Sequence, residues 1–484
     1  MYVDFKCDLS QMRSATCSII LETYRRAQNT RDEKTEARNL CSGSTVMFKQ
    51  CLQKKKSHGL ILILFFMVPI LLKISYVQLI VKMKQRDATA EIQRARISSQ
   101  NHTIKVYLFT YMRGGSSLGG TLFNQDPRGL LWYEPLDQFF MAYLGHARWG
   151  LPMHVTMNKD NYTQRTIPQE EHSLYVNYIS NMLSCNYQSL PAETFTHIDF
   201  IGQSRALKFM NSCTGKSGMV SCKKNIKARC GSASTHIRDP AASWKNSCPQ
   251  IIKALDTVQP SAITTESFKN ELKDKFQMDT STVDNFIDHR TCMENVKSKV
   301  KSCMEKALSK CHEQKIHAVE VLRSNMAALD DVIKRLPDLY VVHYVRDPRA
   351  IAQSTIKVKF NSGDIVHESR LICNKMEQDI KDYERLSSLY PGVFIRVKYE
   401  DLVFDPKQFG KTVYQHIGLK DCSTRWLKTV QSSLHGSKAS GSFGTFRKNG
   451  TEAIEKWRKQ ITDQKLNEVN RICKNVLNAL GYSL

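Results

Sequence analysis

The stretch from Val106 to Ser117 limits the possible folds more than any other part of the chain. Val106-Tyr107-Leu108-Phe109-Thr110-Tyr111 is apolar, aromatic and β-branched, and it runs through Met112 into Arg113-Gly114-Gly115-Ser116-Ser117-Leu118. A run of this kind that stops at glycines predicts a buried strand, a tight loop and then a helix. Two glycines let the backbone pass close to a ligand, and serine hydroxyls beside the first N–H groups of a helix can grip an anion. Arg113 adds a fixed positive charge. The loop lacks the Gly-x-x-x-x-Gly-Lys-Ser/Thr spacing of nucleoside triphosphate cradles, which argues against a kinase using ATP. Taken alone, it also fits a purely structural strand-to-helix turn.

A second segment has the same form. Leu339-Tyr340-Val341-Val342-His343-Tyr344-Val345 predicts another buried strand, followed by Arg346-Asp347-Pro348-Arg349-Ala350-Ile351-Ala352-Gln353-Ser354. Pro348 suits the first position of a helix, where its missing N–H is not needed. The spacing puts Arg346 at the strand end and Ser354 about two turns into the helix, so both can reach one phosphate.

Together the two segments resemble the binding sites for 3′-phosphoadenosine 5′-phosphosulfate (PAPS) in sulfotransferases. The resemblance runs from about residue 104 to 484 and is strongest to the Golgi Gal/GalNAc/GlcNAc 6-O-sulfotransferases. It is also carried by Leu130-Leu131-Trp132-Tyr133-Glu134-Pro135, Val397-Lys398-Tyr399-Glu400-Asp401-Leu402-Val403, Gly444-Thr445-Phe446-Arg447 before Trp457-Arg458, and Leu480-Gly481-Tyr482. It implies a P-loop-like sulfotransferase fold, an α/β architecture with a mostly parallel sheet flanked by helices. Strands alternating with helices independently predict such a sheet, with ligands at the carboxyl ends of its strands.

The resemblance also implies roles. Arg113, Gly114, Gly115, Ser116, Ser117 and Leu118 would surround the 5′-phosphosulfate of PAPS, the co-substrate, and Arg346 and Ser354 the 3′-phosphate. Arg447 and Lys448 would close over the site, although glycosylation of the neighbouring Asn449 would compete with that closure. Glu134, 21 residues after Arg113, would be the catalytic base, with Arg113 the catalytic cation beside the leaving phosphate. The structural alternative for Glu134 is a turn holding an ion pair. His343 and His317 are weaker base candidates, expected in the core, and no metal is implied. Gly114 departs from the family's usual Ser or Thr, and Glu320 stands where relatives carry Lys. The implied reaction is sulfuryl transfer to a hydroxyl, at C6, of a hexose or N-acetylhexosamine in a glycosaminoglycan or glycoprotein glycan. A noncatalytic glycan-binding protein on the same scaffold is the alternative.

Compartment and partners come from the rest of the chain. Residues 59–81 form an apolar stretch long enough to span a bilayer, between a tail (1–58) and a charged, polar stem (82–103). Either Met47 serves as an alternative start or residues 1–46 are a gene-model extension. The sequons at Asn101, Asn161 and Asn449 all follow the span, which predicts a single-pass type II signal-anchor protein of the Golgi membrane. Its glycosylated, disulfide-bonded domain, residues 104–484, would be luminal. Four of the fifteen cysteines precede the span and eleven follow it, so at least one of the eleven is unpaired or intermolecular. The formal charge of +24 calls for polyanionic partners. With no nucleic-acid motif present, an anionic glycan such as chondroitin, keratan or a GlcNAc-bearing chain fits best, and a homo-oligomer is compatible. A basic, cysteine-rich insertion near 205–250 is either a solvated loop or a platform for that glycan. Residues 266–336, including Ile316 to Arg323, read as helical cover for the sheet.

Overall fold

A computed structural model of the protein describes residues 103–144, 156–158, 161–167, 169–196, 201–212, 266–274, 280–358, 363–436 and 449–483. All fall in one compact unit, Gln85–Leu484. The expected tail, the span at 59–81, most of the stem, the cysteine-rich run from 213 and the Arg447–Lys448 loop lie outside the described residues. Among the described residues no helix is long and apolar enough to cross a membrane.

The elements follow one another as β1 (Ile104–Phe109), α1 (Ser116–Asn124), β2 (Gly129–Tyr133), α2 (Pro135–Leu144), α3 (Gln169–Leu183), α4 (Glu193–Thr196), α5 (Glu266–Asp274), α6 (Thr280–Lys299) and α7 (Lys301–Glu313). Then come β3 (Ile316–Val321), α8 (Leu329–Arg335), β4 (Leu339–Val345), α9 (Pro348–Lys357), α10 (Ile365–Leu389) and β5 (Phe394–Lys398). The last are α11 (Tyr399–Phe404), α12 (Pro406–His416), α13 (Thr424–Leu434), α14 (Gly450–Glu455) and α15 (Asp463–Leu480).

The five strands form one sheet in the order β2-β3-β1-β4-β5, and every neighbouring pair is parallel. Alternate residues serve opposite faces, as a pleated strand requires. Tyr107, Phe109, Val319, Val321, Val341 and Val345 enter one core cluster. Val106, Leu108, Ala318, Val342 and Tyr344 enter the other. Both faces are therefore covered, and the central strands read as nearly continuous apolar runs.

The helical reading of Ile316 to Arg323 is corrected. Ile316–Val321 is the strand β3, fully buried between β2 and β1. His317 and Glu320 interrupt its apolar pattern, which weakened the strand signal, yet both side chains are buried within the sheet's two cores. The helix expected across Leu329–Lys334 is present as α8. A disulfide between Cys373 and Cys473 joins α10 to α15, and another joins Cys185 to Cys311. Cys422 is the free cysteine among the described residues.

Candidate anion-binding active site

Because β1 lies between β3 and β4, the loops after these strands meet at the carboxyl edge of the sheet. Gly115 has φ 86° and starts α1 with no side-chain cap and no acidic residue in the first turn. A Cβ at Gly115 would collide with the Tyr399 ring, so only glycine meets both the backbone and the packing demand. Gly114 is also confined, because a Cβ there would lie 2.8 Å from the Tyr111 carbonyl oxygen. The absence of a hydroxyl-bearing residue at 114 thus matches the way this loop turns back on Tyr111, whose carbonyl accepts from the Gly114 N–H at 2.9 Å. The Leu118 N–H donates to Gly115 O at 3.0 Å and its side chain is buried. The helix-start donors that remain for an anion are those of Ser116 and Ser117.

The two predicted halves of the site come together. Arg113 Nε donates to Ser354 Oγ at 3.0 Å, and Arg346 donates from its terminal nitrogen to Arg113 O at 3.0 Å. The Arg346 guanidinium lies 4.4 Å from the Tyr399 ring centroid, a cation–π contact, and its Nε is buried without a hydrogen bond. Asp347 caps α9 by accepting from the Arg349 N–H, with Pro348 next in line, which fixes the helix carrying Ser354. An uncapped helix start, two guanidiniums and a hydroxyl within one loop cluster can hold a phosphorylated ligand.

Glu134 sits at the carboxyl end of β2 with φ 44°. Its Oε2 accepts from Arg323 at 2.6 Å, and Arg323 also lies 3.4 Å from Asp137. The structure thus provides the ion pair at this turn. Arg113, with φ 64°, and Glu134 are two of the four described non-glycine residues with positive φ. Left-handed backbone costs about 1–2 kcal/mol per ordinary residue, and strain of this kind gathers at functional sites.

Several contributors were invisible to spacing arguments. Tyr399 bridges the two loops by touching both Gly115 and Arg346. The Tyr133 hydroxyl donates to Ser117 Oγ. Glu320 lies between Leu108 and Tyr133 in register and against Gly120 of α1, with no exposure. Neither of its carboxyl oxygens makes a hydrogen bond. Burial, then the charge of Glu134, pushes this carboxyl up to about 8, against opposing effects of Ser116 and Arg323. It is therefore uncharged at neutral pH and does not oppose an anion above α1. The sequence marks Glu320 only as an acid where the resembled family carries Lys; its burial under α1 has no local signal.

The histidines are internal. His343 is fully buried and meets the Tyr111 hydroxyl at 3.0 Å; burial holds its imidazole well below the usual range. His317 lies beside Cys185 and Cys311, so three potential metal ligands cluster. The two sulfurs are bonded to each other, and the ring nitrogens face Leu183 O at 2.9 Å and Cys311 O at 2.7 Å. That donor set is already spent and does not fit an ion.

These features define a parallel α/β protein with donors for an anion where the loops after its central strands converge. Residues 221–422, less than half of the chain, match the model of the sulfotransferase family; they include Arg346 and Ser354 but not the Arg113 loop. Carbohydrate sulfotransferase 2 of Mus musculus is 24% identical over 188 residues, covering 30% of this chain and 35% of its own. Carbohydrate sulfotransferase 1 of Danio rerio is 23% identical over 197 residues, covering 36% and 46%, and human carbohydrate sulfotransferase 6 is 26% identical over 167, covering 30% and 42%. The chain spans less than half the length of these curated relatives. A solved sulfotransferase, STF9 from Mycobacterium avium, aligns over 82% of each chain at 14% identity with a TM-score of 0.32, too low for any structural argument.

Proposed function

We propose that this protein transfers a sulfuryl group from PAPS to the C6 hydroxyl of a hexose or N-acetylhexosamine in an anionic glycan. The observation that carries the reading is the convergence of Arg113, Arg346 and Ser354 on the uncapped start of α1. The residues fit the donor: Arg346, with a buried Nε that makes no hydrogen bond, and Ser354 would hold the 3′-phosphate. The Ser116 and Ser117 groups with Arg113 would hold the 5′-phosphosulfate. PAPS supplies the sulfuryl group and departs as adenosine 3′,5′-bisphosphate. Positioned cations and N–H groups favour the charge gathering on the departing phosphate, the effect expected to dominate in such transfers.

Glu134 takes the acceptor's proton. Arg323 holds Oε2, so Oε1 is the atom that faces this task. The protein is read as a Golgi type II membrane enzyme whose domain from 104 onward is luminal, in keeping with its sequons and disulfides. The test is transfer of labelled sulfate from PAPS by detergent-solubilised full-length protein to chondroitin, desulfated keratan and GlcNAc-terminated acceptors, with product mapping. Incorporation at C6 of one sugar supports the proposal. Tight glycan binding without any affinity for PAPS would replace it with the noncatalytic reading.

A further inference from the structure

The segment after α15 is tied directly to the first turn of α9. Gly481 ends α15 with φ 66°, and the Tyr482 N–H returns to Leu477 O at 2.8 Å. That turn aims the Tyr482 hydroxyl at Glu400 Oε2, 2.8 Å away. The other oxygen of Glu400 accepts from the Asp347 N–H at 3.2 Å. A second tie runs through Arg349, which has no exposure. It donates to Ser483 O at 2.8 Å, to Asn470 at 2.8 Å, and to both carboxylate oxygens of Asp347 at 2.8 and 3.0 Å. Asp347 follows Arg346 and caps the helix that carries Ser354. Glu400 follows Tyr399, the ring against Arg346 and Gly115. The Cys373–Cys473 bond holds the base of this strap to α10.

Resting on the donor reading above, we infer that the Leu480–Ser483 segment is a clasp for the donor site, with Tyr482, Glu400 and Arg349 as positioning residues that hold Arg346 and Ser354 for the 3′-phosphate. None of the three needs to touch the ligand. Their removal should weaken donor binding while leaving turnover of bound donor nearly intact, because the charge at the 5′-phosphosulfate comes from a different loop.

The test is calorimetric binding of adenosine 3′,5′-bisphosphate to full-length protein, with KM for PAPS and kcat measured in parallel. Tyr482→Phe should weaken binding and raise KM by about threefold to tenfold, the value of one buried hydrogen bond, with kcat within about twofold. Tyr390→Phe is the control, since it removes a tyrosine–carboxylate hydrogen bond to Asp330 remote from these loops; it should leave both unchanged. Unaltered binding in Tyr482→Phe, or equal loss in both variants, overturns the clasp. A wild-type protein that does not bind the bisphosphate overturns the donor reading itself, and the clasp with it.

Discussion

Glu134 and Glu320 share one corner of the site, but their surroundings differ. Glu134 is fixed by Arg323, whereas Glu320 is sealed under α1 and stays protonated. Glu134→Gln should reduce sulfate transfer by at least about a hundredfold, the scale of a lost general base, while binding of adenosine 3′,5′-bisphosphate persists. Full activity in that variant would leave Glu134 with only its ion pair. The Glu320 carboxyl has a folded value raised to about 8 from 4.5, so between these values the unfolded chain has released a proton that the folded chain keeps. Stability is then fully present below about 4.5, falls as pH rises and levels off above about 8, by on the order of a few kcal/mol. Glu320→Gln should flatten that part of the profile, which denaturant melts from pH 5 to 9 would read. Arg113, Ser354 and Arg346 were legible because charge and spacing survive in the sequence. The role of Glu320 was not, because it depends on what the sheet brings over it.

At the scale of elements, a buried ion pair sets the loop after β3. Lys375 donates to Asp379 at 2.9 Å, to Ser324 O at 2.7 Å and to Asn325 Oδ1 at 3.2 Å, and Asp379 accepts from the Met326 N–H at 2.9 Å. This network holds the segment just beyond Arg323, the partner of Glu134. Lys375→Met should destabilise the protein by about 3–5 kcal/mol, because it leaves Asp379 buried without its cation; chemical denaturation checks this. A cost below about 1 kcal/mol would mean that Asp379 is neutral and the pair idle. The same elements show where sequence patterns stop informing. β1 and β4 were plain because each is a long apolar run ending in punctuation, and α9 because Pro348 marks its start. β3 reads as helix in the sequence because His317 and Glu320 break its run, and only pairing on both edges makes it a strand. Tyr399 lies within a recognisable motif, but its contact with Gly115 joins residues far apart in the chain and has no local signature.

For the whole molecule, the proposed luminal placement rests on the sequons. Asn161 and Asn449 are exposed, and each accepts a hydrogen bond from its Thr hydroxyl at 2.7 Å. A luminal domain predicts that peptide N-glycosidase will shift the native protein on a gel and that Asn161→Gln will shrink the shift. An unchanged mobility would contradict the luminal placement. On the proposed reading, two loops, one after β1 and one after β4, together recognise a nucleotide carrying a 3′-phosphate. This reading is tested most directly by calorimetry of full-length wild-type protein and Arg346→Ala against adenosine 3′,5′-bisphosphate and adenosine 5′-monophosphate. Wild type should prefer the bisphosphate by about tenfold to a hundredfold, the value of a charge-assisted phosphate contact, and Arg346→Ala should erase the preference. Equal binding of both nucleotides by wild type, or a preference that survives Arg346→Ala, would contradict the account.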